Sequence, residues 1–141
     1  MSTPAGPALI GTWRLESWTC TWSDGTVTLP YGASPKGYSL FNEDGYSSVV
    51  LIAGEPAEPS PTDPLRVMFG PCLAYSGRYE LEIDRVVVHC EVSSFPQWVG
   101  TDQIRFYQFT NGGDTLTLSP PPTKVKDKEF TSALVWKRVR A

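Results

Sequence analysis

The sequence predicts an all-β fold: a single up-and-down antiparallel barrel of eight to nine strands. Three observations carry that expectation. Apolar and polar residues alternate with period two through most of the chain, the pattern of strands with one dry face. Strong tight-turn signals recur between the alternating stretches, at Asp24-Gly25, Asp44-Gly45 and Asn111-Gly112-Gly113-Asp114, and such turns join sequence neighbours as hairpins. Nothing in the chain asks for more than one helical turn. Hairpins between successive strands favour a barrel, because a sandwich usually needs long Greek-key crossings.

Each element has its own warrant. Residues 1–8 form a small, Pro-containing lead-in expected to fray, and the barrel domain is expected over 9–141. The first strand is GTWRLESWTCTWS from Gly11, with Trp13, Leu15 and Ser17 on one face and Thr12, Arg14 and Glu16 on the other. A short extended piece, TVTLPYG, follows the first turn. Lys36 to Asn42 and Tyr46 to Ala53 flank Asp44-Gly45 and make the clearest hairpin. Gly54 to Pro64 holds four prolines and reads as a surface loop. Leu65 to Cys72 is expected to make one helical turn, as a lid or plug. Leu73 to Ile83 alternates Tyr75, Gly77, Tyr79 and Leu81 against Arg78, Glu80 and Glu82, a strand with one wet face. A strand carrying His89, a loop through Pro96 and Gly100, and a strand carrying Arg105 come next. Thr115 to Ser119 is short and ends at three prolines. Lys124 to Glu129 reads as a charged loop, and Phe130 to Arg140 as the closing strand.

Composition narrows the function classes. A chain of 141 residues fits one domain with a real core. Five Trp, six Tyr and six Phe favour strands and also supply pocket walls. A net charge of −3 gives no broad attraction to nucleic acid or anionic lipid. The basic residues near the C-terminus alternate or sit among acids, as on a solvated face. No apolar run is long enough to span a bilayer, and the N-terminus lacks the charged and apolar regions of a signal peptide. A cytoplasmic, non-membrane protein is expected, and a homodimer is compatible with the sequence.

Cys20, Cys72 and Cys90 are odd in number and widely spaced. Three reduced thiols are expected, with one disulfide among them as the alternative. No C-x-x-C is present, and a lone histidine cannot anchor a typical zinc site, so neither metal nor other cofactor is expected. His89 and Cys90 are adjacent in one strand and point to opposite faces, which rules out a dyad. No nucleophile elbow, P-loop or dinucleotide fingerprint occurs.

The stretch Arg85–Phe109 holds the candidate chemistry. His89, Glu91 and Ser93 share one face, and Val88, Cys90 and Val92 the other. Arg105, Tyr107 and Phe109 share a face against Ile104, Phe106 and Gln108. Two placements are open. In one, His89 and Arg105 line a polar pocket, with Glu91 as the partner a buried arginine needs. In the other, they stand in an exterior or salt-bridged wall.

Ordered motifs also point to a family. Gly11-Thr12-Trp13 resembles the G-x-W signature of lipocalins, and Gly11 to Ser17 resembles the GTWRL-x-S opening of small bacterial and fungal lipocalin-like domain proteins. Pro35 to Tyr38, Asp44-Gly45, Gly77 to Glu80, His89, Phe95 to Arg105 and Val135 to Arg138 follow in that group's order. The resemblance covers residues 9 to 140. It implies a cup-shaped barrel around a ligand cavity, with Trp13 over the closed end and a last-strand cation, Arg138, stacked on the indole.

The functional expectation is binding of a small, largely apolar molecule, polyketide-like or terpenoid-like, inside the barrel. Tyr79, His89, Glu91, Trp98, Arg105 and Tyr107 are the expected ligand-binding residues. The alternative is a cofactor-free cyclase or isomerase of secondary metabolism, with His89 as acid–base and Arg105 or Tyr79 stabilising oxyanion charge. A barrel that only mediates protein contacts is the third possibility.

Overall fold

The computed structural model describes residues 8–54 and 62–140. The lead-in, apart from Ala8, and most of the proline-rich loop lie outside the described residues. Among the described residues ten strands run in chain order: β1 (Gly11–Trp22), β2 (Val27–Thr28), β3 (Lys36–Phe41), β4 (Tyr46–Ile52), β5 (Cys72–Leu81), β6 (Arg85–Ser93), β7 (Asp102–Thr110), β8 (Thr115–Ser119), β9 (Thr123–Val125) and β10 (Lys128–Arg138). One short helix, α1 (Pro64–Phe69), precedes β5. Eight strands close into an antiparallel barrel in the order β1-β3-β4-β5-β6-β7-β8-β10, with β10 pairing back onto β1. The two shortest strands, β2 and β9, lengthen the rim by pairing with β1 and β10. Lys124 to Glu129 were expected as a charged loop; instead they form most of a tight hairpin, with Lys126 at positive φ in the turn. No helix among the described residues is long and apolar enough to cross a membrane.

The strict alternation expected for the first strand breaks once. The pairing of β1 with β10 shifts register between Leu15 and Ser17, a bulge that inserts one residue and flips the faces beyond it. Trp13 and Leu15 point inward before the bulge; Trp18, Cys20 and Trp22 point inward after it. A second shift, between Ser76 and Gly77 of β5, places two β6 residues against one. Gly77 is required there: a Cβ would lie 1.8 Å from the His89 carbonyl oxygen.

The closed end is built around Trp13, which is fully buried. Its Nε1 donates to the Leu9 carbonyl at 2.9 Å, and its ring meets Phe109 at 6.2 Å between centroids. The register sets Trp13 opposite Arg138, whose guanidinium sits 4.3 Å from the ring centroid. That guanidinium also donates to the carbonyls of Ala8, Ile10 and Gly113, so one side chain ties the incoming chain, the β7–β8 turn and the last strand over the indole.

Trp13→Ala removes this anchor and is expected to lower stability by about 3–5 kcal/mol, read as a shifted midpoint in urea denaturation. Gly77→Ala is expected to cost about 1–3 kcal/mol in the same assay, because backbone rather than a flexible side chain fills the space.

Candidate functional site

A cavity of about 400 Å³ occupies the other half of the barrel. Its floor and walls are apolar residues of the barrel strands, among them Phe41, Val49, Leu73, Val88, Leu118 and Trp136. Small residues leave the space: Ser39, Ser47 and Ser132 occupy inward positions where a larger side chain would fill it. Trp13 and Phe109 are not among the lining residues, so the cavity lies toward the end where β5 begins.

Two short segments cover that end. In α1, Asp63 caps the helix by accepting from the backbone N–H of Leu65 at 2.9 Å and of Arg66 at 3.3 Å, Pro64 supplies a fixed φ at the first helical position, and Gly70 ends it at φ 75°. The helix directs Leu65 and Phe69 at the cavity. The second segment is a 3-10 turn, Pro96–Trp98. It is tied to β6 by the Gly100 N–H donating to the Cys90 carbonyl and the Cys90 N–H donating to the Thr101 carbonyl, each at 2.9 Å. Phe69 meets Phe95 at 5.1 Å and Trp98 at 5.2 Å between centroids. The mouth is therefore an aromatic collar joining the helix to the turn.

Arg105 stands in that collar. Its guanidinium carbon lies 5.7 Å from the ring centroids of both Tyr75 and Trp98. A polar relay holds it. Thr101 Oγ1 donates to the Trp98 carbonyl at 2.6 Å, Gln103 Nε2 donates to Thr101 Oγ1 at 2.9 Å, and Arg105 donates to Gln103 Oε1 at 3.4 Å and to the Ile104 carbonyl at 2.8 Å. Among the described residues Arg105 forms no salt bridge.

The two open placements thus divide between the two residues. Arg105 and Trp98, both among the expected ligand-binding residues, line the cavity. His89 does not: Val86, Val88 and Cys90 take the inner face of β6, and His89 stands on the outer wall. There its Nδ1 lies 2.7 Å from Asp102 Oδ1 and its Nε2 3.2 Å from Glu80 Oε2. Glu91 is also outside and exposed, accepting from the Arg78 N–H at 3.3 Å, so it cannot partner Arg105. Tyr79 and Tyr107 sit toward the closed end and are not cavity-lining residues. Tyr79 donates its hydroxyl to the Asn42 carbonyl at 2.8 Å and stacks edge-on to Phe41. Tyr107 donates to the carbonyls of Glu82 and Ile83. These hydroxyls pin turns. The acid–base role set out for His89, with Tyr79 beside it, is not supported by an arrangement in which neither reaches the cavity.

The reading of the residues missed Gln103, Ser39, Ser47 and Ser132. Gln103 had a signal, since it shares the period-two face of Arg105. Ser132 accepts from Trp18 Nε1 at 3.2 Å and lies 3.0 Å from Cys20 Sγ. Burial pushes the Cys20 thiol up to about 11, far from a reactive thiolate. Cys20, Cys72 and Cys90 are all unpaired. No group of three His, Cys, Asp or Glu side chains able to hold a metal occurs among the described residues.

Both His89 ring nitrogens face carboxylate oxygens, and only the imidazolium has two N–H donors. The hydrogen bonds to Asp102 and then Glu80 raise its pKa above the usual 6.5, against a smaller opposing effect of burial. The stabilisation this contributes is fully present below pH 6.5 and is lost as pH rises through the raised folded value. His89 is the one histidine of the chain, so a single Cε1–H resonance reports it. Its NMR titration midpoint is expected above 6.5 and is expected to fall in Asp102→Asn.

Comparison with known proteins agrees with this architecture. The chain is 37% identical over 76 residues to the 4'-hydroxy-3'-methoxypropiophenone carrier protein ppsC of Aspergillus oryzae, a match spanning 48% of this chain and 67% of the relative. A family profile described as a lipocalin-like domain matches residues 10–139, nearly the whole chain and all ten strands, and the protein belongs to that lipocalin-like family.

Proposed function

We propose that the barrel binds and carries a small, largely apolar molecule in its cavity, an aromatic compound of polyketide-like or terpenoid-like origin. The observation that carries this reading is the cavity itself. About 400 Å³ of space stands open inside the barrel, within the size range of small-molecule sites. Its walls are apolar, and its few polar groups are gathered where they would orient a ligand rather than react with it. The Aspergillus oryzae relative is named as the carrier of a phenyl ketone, which supports the same class of cargo here. A carrier role is favoured over a cyclase or isomerase because the expected acid–base, His89, faces outward.

Titration calorimetry with 4'-hydroxy-3'-methoxypropiophenone and with unsubstituted propiophenone tests the reading. Saturable binding of one molecule per chain is expected for at least one of them. Val88→Phe, which adds volume to the cavity wall, is expected to weaken that binding by at least about tenfold, equivalent to about 1.4 kcal/mol, while His89→Gln leaves it unchanged. Absence of saturable binding to either compound, or equal binding by Val88→Phe, overturns the interior site.

A further inference from the structure

We propose that Arg105 is a specificity-determining residue: it selects ligands that carry an anionic oxygen, a carboxylate or an acidic phenolate, held at the cavity mouth while an apolar body enters the barrel. The inference deepens the carrier reading and rests on it.

The argument begins with cost. A guanidinium drawn partly out of water loses hydration and needs hydrogen-bond acceptors in return. At the mouth, Arg105 finds two among the described residues, the Ile104 carbonyl at 2.8 Å and Gln103 Oε1 at 3.4 Å. A guanidinium has five N–H donors in a planar fork, so more donors remain than acceptors. Tyr75 and Trp98 flank it at 5.7 Å each, which attracts the charge and fixes the plane without using the N–H groups. The relay from Trp98 through Thr101 and Gln103 then sets the fork's direction. What results is a positioned cation with unspent donors in a cavity wall.

The surroundings reinforce the sign. Asp102 borders the cavity, but it pairs with His89 on the outer face, where its Oδ1 lies 2.7 Å from the ring nitrogen. Lys124, on the β9–β10 hairpin, also borders the cavity, but it stands directly opposite Glu129 in that hairpin, which leaves Arg105 as the cation of the mouth. In a chain of net charge −3, Arg105 therefore stands at the entrance with no carboxylate within salt-bridge distance among the described residues. That pattern fits an anionic ligand head, for which paired N–H donors of an arginine are the matching geometry. The apolar walls behind it, and the serine hydroxyls of Ser39 and Ser47 deeper in, fit an aromatic body with at most a small polar group at its far end.

Two fluorescent probes separate the charge from the cavity. 8-Anilinonaphthalene-1-sulfonate carries an anion, and N-phenyl-1-naphthylamine has the same aromatic frame without it. Both are titrated into the wild type, Arg105→Gln and Arg105→Lys, with circular dichroism confirming the sheet. Arg105→Gln is expected to weaken the sulfonate probe by at least about tenfold, the scale of a lost charge-assisted hydrogen bond, with under about twofold change for the neutral probe. Arg105→Lys is expected to restore part of the sulfonate affinity. Equal weakening of both probes in Arg105→Gln makes Arg105 a wall residue and overturns the proposal while the carrier reading stands, as does a sulfonate affinity that does not change. Failure of the neutral probe to bind the wild type overturns the carrier reading together with the proposal.

Discussion

The structure depends on one pairing: the last strand returning to the first. Between Trp13 and Trp22, β1 pairs with β10 from Arg138 back to Phe130, the longest ladder in the molecule. Closure removes the exposed edges that an open eight-stranded sheet would offer to other chains. It also joins residues more than a hundred positions apart, so its loop-closure entropy is met only when the intervening hairpins are already in place. The Arg138 fork over Trp13 locks that seam at one end, and the Trp18–Ser132–Cys20 cluster lies across it further up.

The bulge in β1 shows how a seam residue shapes the site. Without it, Ser17, Thr19 and Thr21 would point inward and three large or buried side chains would face solvent. The one-residue insertion returns Trp18, Cys20 and Trp22 to the interior and lets Trp18 form part of the cavity wall beside Phe69 of α1. Alternation made the strand legible, and the tryptophan spacing of five between Trp13 and Trp18, odd rather than even, is the mark the bulge leaves in the sequence. The up-and-down closure, the hairpin order, the helical turn before β5 and the arginine–indole stack were legible, because each follows from local turn chemistry or from a motif at fixed spacing; β9, only three residues long and expected as loop, was not.

Which face of β6 points inward was not legible, and the reason is register. Two strands joined by a tight turn have their pairing set by the turn; the eight residues between β6 and β7 leave it open. The structure pairs Val86 with Arg105, Val88 with Gln103 and His89 with Asp102. Directly paired residues share a face, so an inward Val86 carries Arg105 inward and leaves His89 out. With this register the two residues cannot meet in one cavity. The apolar set Val86, Val88 and Cys90 against Val87, His89 and Glu91 favours that outcome on burial alone. The polarity of Gln103 and Arg105 on the same inner face obscured it.

The barrel uses one contact twice, a guanidinium over an indole, and the difference between the two copies separates structure from function. Arg138 is mostly buried, with 17% of its side chain exposed, and its N–H groups go to three backbone carbonyls at the closed end. Little donor capacity remains, and the contact acts as a clasp. Arg105 has aromatic partners on both sides but, among the described residues, only two acceptors. A residue placed for stability alone would gain from the acceptors that Arg138 has. Leaving donors free beside an apolar cavity lowers the stability of the empty protein, because those groups are poorly hydrated there. The same shortfall makes an oxygen-bearing ligand worth more at that point than it would be against a satisfied side chain. On the proposal that Arg105 reads an anionic ligand, the open end holds its cation for an acceptor that the described residues do not supply.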